Sequence, residues 1–251
     1  MKRPLAVAIL AAGKGTRMKS DLAKVLHPVG GKPMILHVVS TAQAVGAERV
    51  IAILGHQRER VLEVLVGTGA EAVIQDPQLG TGHAVQQVAP LLDEQKWDLL
   101  VLSGDVPLLR VSTLRNLLNR HRREGCGATL LTARLDDPQG YGRIRRDGAG
   151  HLEAIVEEKD CTPEDRSIRE INAGIYLFQS EWLFKALRLV RNDNAQGEYY
   201  LPDVLPILRQ WGREVALELL PDPIEIQGVN TPAQLKEINR IFRARYEETT
   251  S

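Results

Sequence analysis

Arg17 and Lys24 lie in and just beyond a glycine-punctuated loop, LAAGKGTRMKSDLAK, that follows the aliphatic run Leu5–Leu10. A buried strand running straight into such a loop is how α/β proteins hold phosphates. Bare backbone N–H groups approach the anion, and cations complete the neutralisation. Leu10, Ala11, Ala12, Gly13 and Gly15 would supply the backbone, and Arg17 and Lys24 the charge. Two common cradles are excluded. Met18 stands where a dinucleotide fingerprint needs its third glycine, and no Gly-Lys-Ser/Thr closes the loop as in a Walker motif. Two cations seven residues apart point to a polyphosphate.

Asp105 follows the apolar run Leu99–Ser103 directly, in Ser-Gly-Asp-Val-Pro. A carboxylate at the carboxyl end of a strand and beside a polyphosphate suits Mg²⁺, which takes one or two protein oxygens and leaves the rest to water and phosphate. By itself Asp105 reads equally well as a turn or cap residue; loop 11–18 tips the balance toward metal. Gln75, Gln78, Gly80 and Thr81 lie in QDPQLGT. Glutamine amides carry the donor and acceptor needed to read a base edge, and Gly80 opens the backbone. Thr81 also reads as the cap of the helix that follows. Gly142, Glu157 and Asn172 flank a predicted hairpin and suit sugar hydroxyls or an amide, although residues alone favour plain exposed strand ends. Asn230 reads as a helix-start residue.

These loops meet only if the chain folds as an open α/β sheet, where ligands bind beyond the carboxyl ends of the strands. Strand and helix signals alternate through the first half: strands at Leu5–Leu10, Arg49–Leu54, Glu71–Gln75, Leu99–Ser103 and Ala128–Leu135, with helices at Pro33–Val45, Gln57–Val66, Gly82–Leu92 and Ser112–Glu124. That alternation predicts a mostly parallel sheet with helices on both faces. In the second half, Gly142–Arg146 and His151–Val156 flank Asp-Gly-Ala-Gly, a hairpin signal. Strands at Ile171–Phe178 and Val215–Leu220 alternate with helices at Glu181–Leu189 and Tyr200–Trp211. Residues 136–178 are expected to form a smaller lobe over one end of the sheet. Thr231 and Pro232 start a last helix as N-cap and first-turn proline, and its charged end, Arg243 to Ser251, is expected to project from the body.

Composition sets the outer limits. The 251 residues, 43% hydrophobic and 25% charged, fit an ordinary globular chain. Lys+Arg and Asp+Glu are both 32, so nothing global draws the chain to nucleic acid or an acidic membrane. Cys126 and Cys161 have no metal-ligand spacing and are expected to be free thiols in a reducing cytoplasm. The apolar N-terminal run is broken by Gly13 and Lys14, and no stretch nears the ~20 residues of a membrane span. The six histidines are scattered and no nucleophile elbow occurs, so general acid–base catalysis by histidine is not indicated. Phosphoryl-type transfer needs positioning and charge neutralisation instead.

LAAGKGTRMKSDLAKVL, QLGTGHA, GDVPLL, GYGRI, VEEKD, EINAGIY, NAQGEYYL and GVN, in this order over residues 5–240, resemble the sugar-1-phosphate nucleotidyltransferases. More closely, they resemble the uridyltransferase domain of the bacterial bifunctional N-acetylglucosamine-1-phosphate uridyltransferases/glucosamine-1-phosphate acetyltransferases. The resemblance implies a Rossmann-like nucleotidyltransferase domain over 1–228 and transfer of UMP from UTP to N-acetylglucosamine 1-phosphate with Mg²⁺. It implies that Leu10, Ala11, Ala12 and Gly13 contact the nucleotide and that Gln75, Gln78, Gly80 and Thr81 recognise uracil. Arg17 would hold the outgoing pyrophosphate and Lys24 stabilise phosphate charge. Asp105 and Asn230 would bind Mg²⁺, and Gly142, Glu157 and Asn172 the sugar.

Two positions depart from the family pattern: Ser103 where tyrosine is frequent, and Pro202 where threonine is common. The family's carboxy-terminal left-handed β-helix would follow the helix at 229–251, and this sequence holds no hexapeptide repeat. No acetyltransferase activity and a monomer, rather than a β-helix trimer, are therefore expected. The runners-up are a dTTP- or CTP-dependent sugar-phosphate nucleotidyltransferase and a non-catalytic nucleotide-binding module.

Overall fold

The computed structural model describes residues 3–92 and 95–250. In chain order the strands are β1 (Leu5–Ala11), β2 (Pro28–Val29), β3 (Lys32–Pro33), β4 (Arg49–Leu54), β5 (Glu71–Ile74), β6 (Asp98–Ser103), β7 (Ala128–Arg134), β8 (Arg143–Arg146), β9 (Leu152–Val156), β10 (Glu170–Gln179) and β11 (Val215–Leu219). The helices are α1 (Met34–Ala44), α2 (Arg58–Leu65), α3 (Thr81–Gln86), α4 (Ala89–Leu92), α5 (Val111–Glu124), α6 (Pro163–Arg166), α7 (Ser180–Leu187), α8 (Val204–Gln210) and α9 (Pro232–Thr250).

The main sheet runs β11-β7-β10-β6-β1-β4-β5, and the β8–β9 hairpin joins it through β10. The β1, β4, β5 and β6 pairings are parallel, as is β11 with β7, whereas β10 is antiparallel to both its neighbours. Successive residues of a strand face opposite sides, so the continuous apolar run of β1 divides between two cores. Leu5, Val7 and Ile9 pack with α1, α2 and α5 on one face. Ala6 and Ala8 pack with α3, α7 and α8 on the other. The predicted layering therefore holds, and Leu114, Leu117 and Leu118 form the buried face of α5 as their spacing indicated.

The antiparallel course of β10 brings the β8–β9 hairpin to the carboxyl end of the central strands. Tyr176 pairs with Val101 of β6, so the chain before it, through Asn172, extends past the carboxyl end of β6. There Ile171 pairs with Arg143 of the hairpin. The Asp-Gly-Ala-Gly turn forms as read, with Asp147 accepting through Oδ1 from the N–H groups of Ala149 and His151.

Several expectations need correction. The helix expected over Gly82–Leu92 is two pieces, α3 and α4. Pro90 cannot donate to a preceding carbonyl and is tolerated only in a first turn, so a new helix starts beneath it. The helix expected from Tyr200 begins as a 3-10 turn over Leu201–Asp203. The turn α6 went unread although Thr162, Pro163 and Asp165 spell a capping box, and both reciprocal bonds are present. The short β2–β3 hairpin around Gly30 and Gly31 also went unread.

The final helix does not stand apart. Ile238 and Ile241 of α9 are buried in a third core with Met18, Val29, Met34, Leu108 and Val229, and Asn239 accepts from the Gly30 N–H at 3.0 Å. The projecting tail is therefore corrected as far as Arg245, which donates to the Leu108 carbonyl; Ser251 lies outside the described residues. Thr231 does cap the helix, accepting from the Gln234 N–H at 3.2 Å.

Candidate active site

At the carboxyl ends of β1, β4 and β6 the register sets Leu10 beside Ser103 and Ala11 beside Leu54. A cleft of about 290 Å³ opens there. It is lined by Leu10, Ala11, Ala12, Gly13, Lys24, Gln75, Gln78, Gly80, Thr81 and Asp105, so three of the expected segments, the phosphate loop, the amide turn and the Asp105 turn, meet in it, whereas the segment before α9 does not line it. Ser103 and Glu198 line it as well. Glu198 was not singled out; the only signal was its place in the NAQGEYYL segment.

One end of the cleft is a charge cluster. The Lys24 Nζ donates to Asp105 Oδ2 at 2.6 Å and to Asn230 Oδ1 at 3.0 Å. Arg17 donates to the same Asn230 oxygen at 3.1 Å. The backbone fastens this group. Val229 N–H donates to the Asp105 carbonyl, and Gln234 Oε1 accepts from the Asn230 N–H at 2.8 Å. Gln234 had escaped sequence reading, although an amide three residues after a threonine cap is a recognisable capping signal. Asp105 Oδ2 and Asn230 Oδ1 are thus two hard oxygens turned toward one shared cation. That donor set fits Mg²⁺, with water and phosphate oxygens completing its shell. Among the described residues no group of three or more His, Cys, Asp or Glu side chains is placed to hold a metal.

Gly15 and Arg17 do not line the cleft. Gly15 is left-handed, φ 62°, and packs so tightly that an added Cβ would lie 2.7 Å from Lys24 Cβ. It positions Lys24 rather than facing a ligand.

The other end is the amide turn. Gln75 is buried; its Nε2 donates to the Gly80 carbonyl at 2.9 Å and lies 3.2 Å from His83 Nδ1. Its donor side is therefore committed and its carbonyl oxygen is the group left for a ligand. Gly80 has φ 105°, and a Cβ there would strike the Tyr199 carbonyl at 2.6 Å. The 199–201 strip is stitched to this turn by Tyr199 N–H to Leu79 O and Gly82 N–H to Tyr199 O. Thr81 Oγ1 completes the seam by accepting from the Leu201 N–H at 3.0 Å. Its expected role as a helix cap is corrected: the hydroxyl serves the strip, and α3 has no side-chain cap.

Gly142, Glu157 and Asn172 come together beside the cleft rather than within it. Asn172 N–H donates to the Gly142 carbonyl at 2.8 Å, and a Cβ on Gly142 would lie 3.1 Å from Glu157 Oε1. The Asn172 amide accepts from the Gly174 N–H and donates to Tyr176 Oη at 2.5 Å, leaving one N–H and one lone pair. Burial pushes the Glu157 carboxyl up to about 6, and the charges of Asp203, Asp160 and Glu198 push the same way. Asp203 is likewise raised to about 6 by burial and Asp160. Pro202 is buried within the 3-10 turn before Asp203. Burial also raises the Tyr141 phenol, with the charge of Asp105 adding to it.

Comparisons with known proteins bear on the family and the fold. Residues 6–219 match the model of the nucleotidyl transferase family. Bifunctional protein GlmU of Geobacter metallireducens is 48% identical over 96% of this chain and 51% of its own length. That of Geobacillus thermodenitrificans is 50% identical over 94% of this chain and 51% of its own. The chain thus spans about half the length of these curated relatives, and 72% of GlmU from Desulfotalea psychrophila, at 44% identity. A crystal structure of a Bacillus anthracis protein assigned as a glucose-1-phosphate thymidylyltransferase superposes with a TM-score of 0.75, covering 95% of each chain at 21% identity, and shows the shared fold. With a family model covering most of its length and the phosphate loop, Asp105 and amide turn meeting in one cleft, this chain belongs to the nucleotidyl transferase family.

Proposed function

We propose that the chain transfers UMP from UTP to N-acetylglucosamine 1-phosphate, releasing pyrophosphate and giving UDP-N-acetylglucosamine. The observation that carries this reading is the pairing of Lys24 with Asp105 at one end of a cleft whose other end offers the Gln75 and Gln78 amides, with Asn230 bonded to Lys24 and to Arg17 just outside it. The likeness to GlmU proteins supports it.

In this reading a phosphate oxygen of the sugar phosphate attacks the α-phosphorus of UTP in line. The bond to the bridging oxygen breaks, and its electron pair leaves with pyrophosphate. The attacking oxygen is already ionised, so no general base is required and catalysis rests on positioning and charge neutralisation. Lys24 neutralises charge on the phosphates, and Arg17 holds the leaving pyrophosphate. The backbone of Leu10 to Gly13 supports the nucleotide. Gln75 presents a carbonyl oxygen, which suits the ring N–H of uracil better than the bare ring nitrogen of cytosine; Gln78, Gly80 and Thr81 complete the base site. Gly142, Glu157 and Asn172 take the sugar and its N-acetyl arm. Asp105 and Asn230 would hold Mg²⁺, which, when bound, offsets charge developing on the phosphates.

Among the described residues no helix is long and apolar enough to cross a membrane. Action as a cytoplasmic monomer on small substrates belongs to the same proposal.

A pyrophosphate-release assay over UTP, dTTP and CTP against N-acetylglucosamine 1-phosphate and glucose 1-phosphate tests the reading. UTP with the N-acetyl sugar is expected to give the highest kcat/KM. Equal turnover of glucose 1-phosphate would remove the N-acetyl assignment, preference for dTTP or CTP would move the chain to another nucleotidyltransferase, and binding without turnover would leave a nucleotide-binding module.

A further inference from the structure

Among the described residues only two non-glycines have a left-handed backbone, Lys19 (φ 49°) and Gln57 (φ 53°). A Cβ disfavours that conformation, and such outliers persist where the surroundings impose them. Lys19 belongs to the phosphate loop. Gln57 lies in the turn between β4 and α2, far away in sequence, yet its side chain reaches the same loop. Its Oε1 accepts from the Ala23 N–H at 3.1 Å, and its Nε2 donates to the Asp21 carbonyl at 2.7 Å. One primary amide thus pairs with the backbone on both sides of Leu22, immediately before Lys24. Arg60 reinforces the bracket with a bond to the Asp21 carbonyl at 3.1 Å. The neighbouring His56 N–H donates to the Ala12 carbonyl, so this turn also holds the first part of the cradle.

We propose that Gln57 is a positioning residue for Lys24: its amide clamps residues 21–23 so that the ammonium reaches the Asp105–Asn230 end of the cleft, and the left-handed turn is what aims the amide there. The proposal rests on the nucleotidyltransferase reading. Lys24 is a long, flexible side chain, so its reach is set by where its backbone is fixed. A small misplacement of a charge-neutralising group lowers the rate far more than it weakens the fold.

Gln57→Gly keeps the left-handed turn and deletes the clamp. Its melting temperature is expected within about 4 °C of wild type. kcat with UTP and N-acetylglucosamine 1-phosphate is expected to fall about 10- to 100-fold, while KM for the sugar phosphate stays within about twofold. Amide hydrogen exchange at Ala23 and Lys24 should speed up about tenfold or more as the Ala23 N–H loses its acceptor. Wild-type kcat with unchanged exchange overturns the clamp. So does a rate loss matched by a large drop in melting temperature, which would make Gln57 a general fold support. An inactive wild type would remove the uridyltransferase reading instead, and the exchange measurement would then decide the clamp by itself.

Discussion

The end of the site proposed for the nucleotide and the end proposed for the sugar are built from opposite materials. The nucleotide end stands on β1, β4 and β6, parallel strands buried on both faces, and its polar groups are already matched: Lys24 with Asp105, and Arg17 with Asn230. The sugar end stands on the β8–β9 hairpin, tied to the sheet through β10 and braced by ion pairs such as Arg143–Glu158 and Arg146–Glu170. Its carboxylates, Glu157 and Asp203, are held uphill by burial and by the charge of Asp160, and Glu157 by Asp203 as well. The difference matches what each end is proposed to bind. A triphosphate needs fixed positive charge on a rigid base, whereas hydroxyls need acceptors.

The sharpest way to break this division is at Asp105. Asp105→Ala is expected to reduce pyrophosphate release about 100-fold or more while the circular dichroism spectrum and melting curve remain those of a folded protein. Retained Mg²⁺-dependent turnover would take Asp105 out of the metal site. On the sugar end, Asn172→Ala should raise KM for the sugar phosphate about tenfold and leave KM for UTP unchanged; parallel rises in both would erase the distinction between the ends.

The two ends should also part by pH. Glu157 is raised from 4.5 to about 6, so the folded protein holds this proton more tightly than the unfolded chain does. The resulting penalty on stability is full above about pH 6 and absent below about pH 4.5. Glu157→Gln should therefore raise the melting temperature at pH 8 and lose that advantage by pH 4.5, as calorimetric scans at both would show. In the wild type, KM for the sugar phosphate should rise as pH falls through about 6, because a protonated Glu157 accepts less well from hydroxyls, whereas binding of UTP should change less. The smallest effect is expected at the base of α9: Thr231→Ala removes a cap and should cost about 1 kcal/mol in denaturant unfolding.

Local chemistry wrote much of this into the chain. Apolar runs broken by glycine marked the main strands, because a strand buried on both faces must be continuously hydrophobic. The phosphate loop, Asp105 and the amide turn were legible because each is a short contiguous segment with its own chemistry. The roles proposed for Glu157, Asn172 and Asn230 were not, since residue type alone cannot separate an exposed strand end from a ligand.

What only the tertiary structure decided are the partnerships across the chain. Lys24 meets Asn230 from 206 residues away, Thr81 staples Leu201 from 120 residues away, and α9 closes a third core over the phosphate loop. Hydrogen bonds and packing at such distances depend on where the sheet sets its loops, and no local propensity encodes that. Sequence thus determined the candidate cradle and the residue types it offers; the fold decided which groups hold it in place.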